Sequence, residues 1–239
     1  MRIKTEADRL LAMIRDGRTM SAGQKVRLAV MLSVPAVVAQ LSSIVMQYID
    51  ASMVGSLGAE ASAAIGLVST TIWLFGGLLS AAASGFSVQV AHRIGAGDWE
   101  GAQRVLRQSV VAVLAFSLLL ASIGAGISSS LPVWLGGTES IHRDASTYFL
   151  IISLFLPALQ MQFLAGGMLR CSGNMHVPSM AGVAMCALDV VFNFLLIFPS
   201  RTVAVAGFDV FLPGAGLGVE GAALGTVLAE TVVVAWLLW

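Results

Sequence analysis

Charge is the scarcest property of this sequence. Only 11% of its 239 residues are Asp, Glu, Lys or Arg, where a soluble domain carries about 25% to solvate its outer surface. Lipid must therefore cover much of the chain. The thirteen basic and thirteen acidic residues cancel, which excludes a global field that would recruit nucleic acid or an acidic partner. Cysteine is reduced to Cys171 and Cys186, neither of them in metal-ligand spacing, and both read as small core residues. The three histidines, His92, His142 and His176, lie far apart, so no dedicated metal site is expected. Neither a Ser/His/Asp constellation nor a Cys/His pair presents itself, and the chain is not expected to be an enzyme. Gly95-Ala96-Gly97-Asp98 lacks the Lys-Ser/Thr ending and preceding strand of a phosphate-binding loop. It reads instead as a turn in which Asp98 caps a short amphipathic helix bearing Arg104 and Arg107. The first apolar run follows a long charged segment without a small-residue cleavage site, so it is not a signal peptide.

What is abundant is apolar surface. Hydrophobic residues make up 57% of the chain, and mean hydropathy is +0.89. A spanning helix needs about 20 largely apolar residues. Six runs satisfy that, near Leu28–Leu57, Ala61–Gly85, Ser109–Ser130, Ala145–Met168, Pro178–Phe198 and Val219–Trp239. The expected fold is an all-α membrane protein, a bundle of six transmembrane helices spanning residues 28–239. Residues 1–27 form a cytoplasmic amphipathic segment, with Leu10, Leu11 and Ile14 at helical spacing. Turns are expected at Gly95–Asp98, Gly136–Ser140 and Pro213–Gly218. Lys and Arg crowd the N-terminus, the second connection (Arg93, Arg104, Arg107) and the fourth (Arg170), whereas Arg143 and Arg201 stand alone opposite. That asymmetry predicts a cytoplasmic N-terminus and outward loops around Gly58, Gly137 and Asp209.

Ionisable groups inside spans carry the functional information, because each costs several kcal/mol unless paired or hydrated. Asp50 lies in the first span, Asp189 in the fifth and Glu230 in the sixth. Asn193 follows Asp189 by four residues and shares its helix face. Helical rise puts Asp189 roughly 16 Å beyond Pro178, Thr226 roughly 10 Å past Val219 and Asp50 roughly 10 Å before Leu57. In a core of about 30 Å these groups fall in one half of the membrane and can meet. Two carboxylates with an amide and a hydroxyl suit a proton or Na⁺. Each residue also has a structural alternative: Asp50 can snorkel or cap, Asn193 and Thr226 can serve as interhelical hydrogen-bonding groups, and Glu230 can face a watery cavity. Pro35 removes a backbone hydrogen bond within the first span and marks a kink, a candidate hinge; Pro157 raises the same question in the fourth. Gly221, Gly225 and Ala229 recur every four residues, as small helix contacts do.

These residues resemble a known family. Tyr48-Ile49-Asp50-Ala51-Ser52-Met53-Val54-Gly55-Ser56-Leu57-Gly58 looks like the first helix of multidrug and toxic compound extrusion (MATE) transporters. Gly95-Ala96-Gly97-Asp98 through Arg104 is similar to the family's second connecting loop. Leu169-Arg170 through Pro178, then Asn193-Phe194-Leu195-Leu196-Ile197-Phe198, resembles its fourth loop and fifth helix. Gly216 through Thr226 resembles the beginning of its sixth. The resemblance runs from about Pro35 to the end and keeps the family's order.

It implies the N-terminal lobe of a twelve-helix, two-lobed protein, with the C-terminal lobe missing and the chain a fragment. It implies a secondary antiporter that exports organic, often cationic compounds in exchange for H⁺ or Na⁺, with no other cofactor. The N-lobe cation site it implies falls on Asp50, Asp189, Asn193 and Thr226, with Glu230 as an accessory group. The prokaryotic branch similar to DNA-damage-inducible transporters fits best, although it has Asn first and Asp four residues later, the reverse of Asp189 and Asn193 here. Expected partners are small organic substrates, the bilayer of a prokaryotic plasma membrane and the missing lobe, with no nucleic acid; the full-length protein is expected to be a monomer. Two alternatives stand beside this reading: a flippase for lipid-linked saccharides, which would favour cationic residues in its cavity, and a non-transporting membrane interaction subunit.

Overall fold

The computed structural model describes residues 6–205 and 208–239; the basic residues Arg2 and Lys4 lie outside them. A short helix α1 (Glu6–Arg15) precedes α2 (Ala22–Gly55), α3 (Ala59–Gly95) and α4 (Trp99–Ile127). A single turn, α5 (Leu131–Trp134), leads to α6 (Glu139–Leu154) and α7 (Leu156–Cys171). Then come α8 (His176–Ile197), strands β1 (Pro199–Val205) and β2 (Phe208–Ala215), and α9 (Gly218–Leu238).

Helices α2, α3, α4, α8 and α9 are each long and apolar enough to cross a membrane, and α6 with α7 makes a sixth span bent by 46°. The bend has a chemical cause. Pro157 has no N–H to offer the Ser153 carbonyl, so the helical ladder breaks there. The Phe155 N–H turns to the Ile152 carbonyl instead, at 3.2 Å. By contrast α2 continues through Pro35 as one helix.

The apolar surface is distributed as a bilayer demands. Trp73, Val111 and Tyr48 are 72%, 70% and 75% exposed on the outside of the bundle. The interior of α3, α4, α6 and α7 is filled by Val68, Leu79, Leu120, Phe149 and Leu156, with the Phe75 and Phe149 rings 5.9 Å apart. A second cluster, Val54, Ala61, Ile197, Val219 and Ala222, closes the ends of α2, α8 and α9. It lies beside the polar site described below.

Three boundaries differ from the sequence reading. Helix α4 begins at Trp99, so the amphipathic piece bearing Arg104 and Arg107 and the third span are one helix. Asp98 does cap it: the Gly101 N–H donates to Asp98 Oδ1 at 2.8 Å, and Arg93 pairs with Asp98 Oδ2 at 2.7 Å. Helix α2 starts at Ala22, where Ser21 and Gln24 form a reciprocal capping box, ahead of the expected Leu28. The expected loop at Pro213–Gly218 lies partly in an antiparallel hairpin, β1 paired with β2, that also contains Asp209. Val203 and Val205 on one side and Val210 and Phe211 on the other have strand-forming composition. Arg201 of this hairpin sits 4.7 Å from the Phe198 ring centre and 5.1 Å from that of Phe194. The N-terminal segment is helical as expected; α1 buries Leu10 and ties Glu6 to Arg27 of α2 at 2.8 Å.

Candidate cation-binding site

The site depends on how closely α9 approaches α8. A side-chain carbon at Gly221 would stand 2.5 Å from the Leu196 carbonyl oxygen, and one at Gly225 would stand 2.9 Å from the Asn193 backbone nitrogen and collide with the Asn193 side-chain oxygen. Glycine at these two positions lets the helices touch backbone to backbone, bringing α9 against the polar face of α8.

That face carries Asp189, fully buried, and Asn193, 1% exposed. Asn193 Nδ2 donates to Asp189 Oδ2 at 3.0 Å and to Asp50 Oδ1, across on α2, at 3.0 Å. One amide group therefore spends both its hydrogens on two carboxylates from different helices. Thr226 completes the set from α9. It lines a cavity of about 400 Å³ together with Asp50 and Asn193, while its own hydroxyl donates to the Ala222 carbonyl at 3.2 Å.

The site is short of donors. Asp189 Oδ1 and Asn193 Oδ1 are both buried without a hydrogen-bond partner. Both are acceptors, and a buried acceptor left unpaired costs about 1–3 kcal/mol, more when charged. Water, a proton or a hard cation would satisfy them; a further carboxylate or carbonyl would not. Among the described residues no group of three or more His, Cys, Asp and Glu side chains could hold a metal ion.

Of the residues singled out from sequence, Asp50, Asp189 and Asn193 are joined by direct hydrogen bonds, and Thr226 by the shared cavity. Glu230, 8% exposed, stands one turn beyond Thr226 and makes no hydrogen bond to the cluster among the described residues. Pro35 is fifteen residues before Asp50 on α2, roughly 22 Å along the helix. The cavity adds residues that sequence reasoning missed: Gln47 one turn before Asp50, Ser62 and Ser69 of α3, and Tyr148 of α6. Being uncharged, they carry nothing in the sequence that sets them apart from other polar groups between membrane helices.

A multi-helix membrane bundle that sets buried Asp189 and Asn193 against half-buried Asp50 beside a cavity defines a class, a multi-pass helical membrane protein with polar groups held between its helices. Comparisons with known proteins name the family. The MatE family model matches residues 35–195, two thirds of the chain, and the chain belongs to that family. It is 31% identical over 211 residues to the probable multidrug resistance protein NorM of Bradyrhizobium diazoefficiens, covering 86% of this chain and 43% of that protein. The NorM protein of Thermotoga maritima is 22% identical over 84% of this chain and 41% of its own length. The chain thus spans about two fifths of these relatives. Among solved structures, a MATE protein in a bent conformation superposes with a TM-score of 0.78 at 24% identity, over 98% of this chain and 46% of that one. An outward-facing multidrug resistance MATE transporter of the MOP superfamily gives 0.76 at 23% identity, over 99% and 47%. The fold is that of a MATE transporter lobe, all-α and multi-pass.

Proposed function

We propose that this chain is the N-terminal lobe of a secondary antiporter that exports organic, often cationic compounds in exchange for H⁺ or Na⁺. The relatives it matches are described as probable multidrug resistance proteins, which supports efflux as the activity of the complete protein. The observation that carries the coupling assignment is the Asn193 amide held between Asp50 and Asp189, with two buried acceptors still unpaired. In this reading Asp50, Asp189, Asn193 and Thr226 bind the coupling ion. A proton or Na⁺ supplies the positive partner that the oxygens lack, and its arrival and departure change how strongly α2 is held to α8. Glu230 is an accessory carboxylate one turn away, and Pro35 is the hinge through which α2 responds. A second six-helix lobe completes the substrate cleft in a monomeric protein of the prokaryotic plasma membrane, its N-terminus in the cytoplasm.

The test is transport by the complete protein in proteoliposomes under imposed H⁺ or Na⁺ gradients, with Asp50→Asn as the probe. Loss of gradient-driven efflux in a folded Asp50→Asn protein is the expected result. Wild-type efflux by that variant would remove Asp50 from the mechanism.

A further inference from the structure

A second cavity, of about 310 Å³, lies between α2, α7 and α8 at the opposite end of the lobe from the carboxylates. Its α8 wall includes Ser179, ten residues before Asp189 and so roughly 15 Å from it along the helix. Polar side chains reach it from three helices: Gln40 of α2, Gln162 and Arg170 of α7, and Ser179 of α8. Phe163 and Leu237 supply apolar wall.

Arg170 is the informative residue. It is exposed and lies in the last turn of α7, where an arginine ordinarily extends towards water or headgroups. Here it folds back along its own helix: a side-chain carbon at Gly166, one turn earlier, would stand 3.4 Å from Arg170 Nη2. The glycine leaves room for the guanidinium to lie over the backbone and face the cavity. Among the described residues no carboxylate pairs with it. The ion pairs among the described residues are Arg27 with Glu6 and Arg93 with Asp98. Gln162 Oε1 is buried in the same region and has no hydrogen-bond partner. The Ser179 hydroxyl donates to the Met175 carbonyl at 2.8 Å, so it adds no free donor. What remains is a guanidinium with no ion-pair partner among the described residues and two amide side chains, set in a pocket with apolar wall.

We infer that this cavity is a binding site for a phosphate-type oxyanion carried on an apolar or lipidic body. The guanidinium fork offers two parallel N–H groups to a tetrahedral oxyanion, the amides of Gln162 and Gln40 approach from the sides, and Phe163 and Leu237 take the apolar remainder. The phosphate can come from a phospholipid of the adjoining leaflet or from a soluble phosphate; both present the same oxygens. The site is separate from the carboxylate cluster and stands or falls independently of the antiport proposal.

The experiment is native mass spectrometry of the purified chain in uncharged detergent micelles, titrated with phosphatidylglycerol, with and without excess inorganic phosphate. The wild-type chain is expected to retain the lipid. Arg170→Gln should lower the bound fraction about ten-fold, the loss expected for a charge-assisted hydrogen bond, and Arg170→Lys should fall between the two. Displacement of the lipid by inorganic phosphate assigns the site to any phosphate source; retention against excess phosphate assigns it to the lipid headgroup. Gln162→Leu keeps the charge and removes an amide, so it should weaken binding several-fold even if Arg170→Gln fails to fold. No retention by the wild-type chain, or equal retention by it and by the folded variants, would overturn the inference.

Discussion

Asn193 Nδ2 stands 3.0 Å from Asp50 Oδ1 and 3.0 Å from Asp189 Oδ2, so one neutral amide links α2 to α8 through both carboxylates. Two carboxylates brought this close repel when both are charged, and the amide's two donors offset that repulsion. The local structure follows from a four-residue spacing on α8, and the tertiary contact follows from where Asp50 falls on α2.

The first prediction concerns that amide. Asn193→Leu keeps roughly the same volume but removes both donors, leaving each carboxylate one partner poorer. The bundle should lose about 2 kcal/mol, the scale of hydrogen bonds to charged groups. Chemical denaturation in detergent would read this, and Asn193→Gln should recover little because the longer side chain misplaces the amide. An unchanged unfolding midpoint in Asn193→Leu would mean that the bridge contributes no stability.

The close approach of α9 gives a second prediction. Gly225→Ala inserts a carbon onto the Asn193 side chain and 2.9 Å from its backbone nitrogen. Either the helices separate or the amide leaves its carboxylates, at a cost of about 1–3 kcal/mol for overpacking. Ala229→Gly, one turn along the same row, adds no atoms and should cost only the glycine penalty of about 1 kcal/mol. Comparing the two unfolding midpoints checks the ranking, and the reverse order would mean that α8 and α9 have slack at Gly225.

Outside the membrane, Asp98 is held below the usual carboxylate range, first by the Gly101 backbone N–H and then by Arg93. A carboxyl with a lowered folded value adds stability above its ordinary value of 3.8, and that contribution is lost as pH falls through the folded value. Protection of the first-turn amides of α4 against hydrogen exchange should therefore hold at neutral pH and fade under acid conditions below that range. Asp98→Ala should remove the protection at all pH values. Identical exchange in wild type and variant would show that the cap does not hold the turn.

Much of this was legible in the sequence because charge is conspicuous in an apolar run. Asp50, Asp189 and Glu230 stand out against their spans, and helical rise alone placed Asp50, Asp189 and Thr226 at compatible depths. Gln47 and Tyr148 were not legible, since uncharged polar groups are common between membrane helices and nothing in the sequence says which face the cavity. The hairpin is hidden in the sequence because its strands contain Pro199 and Pro213, which usually mark turns. The size of the bend at Pro157 is not encoded locally. Proline inside a span permits a break, but the packing of α6 and α7 on α3 and α4 decides its size.

Orientation is the fourth prediction. The Lys/Arg asymmetry puts the turn at Gly97 in the cytoplasm and the turn at Gly137 outside. Single cysteines at those positions, in a protein lacking Cys171 and Cys186, would be exposed to an impermeant thiol reagent on intact cells. Position 137 should react. Gly137 packs against Leu67 and the Pro132 carbonyl, so exposed Gly136 is the backup site on the same turn. Labelling at 97 with protection at 136 and 137 would invert the topology and move the carboxylate cluster to the other half of the bilayer.

The last prediction concerns the order of Asp189 and Asn193. The resemblance to the DNA-damage-inducible-like branch implies the amide first and the carboxylate second, and here the order is Asp189 and then Asn193. Both positions lie on one face, so exchange moves the carboxylate by one turn, roughly 5–6 Å. Asn193 keeps contact with Asp50 and Asp189 at equal distances, so the amide sits between the acids. Asp189→Asn leaves amides at both positions and Asp50 as the cluster's one carboxylate, and gradient-driven efflux by the complete protein should be lost. Asp189→Asn combined with Asn193→Asp places the second acid directly opposite Asp50, with an amide one turn away that can still donate to it. The oxygen count of the site is unchanged, and part of the transport should return. Both variants would be compared in proteoliposomes under H⁺ and Na⁺ gradients. Full activity in the single variant would make Asp189 structural, while a double variant as dead as the single would mean that the exchanged order is itself required by this chain's geometry.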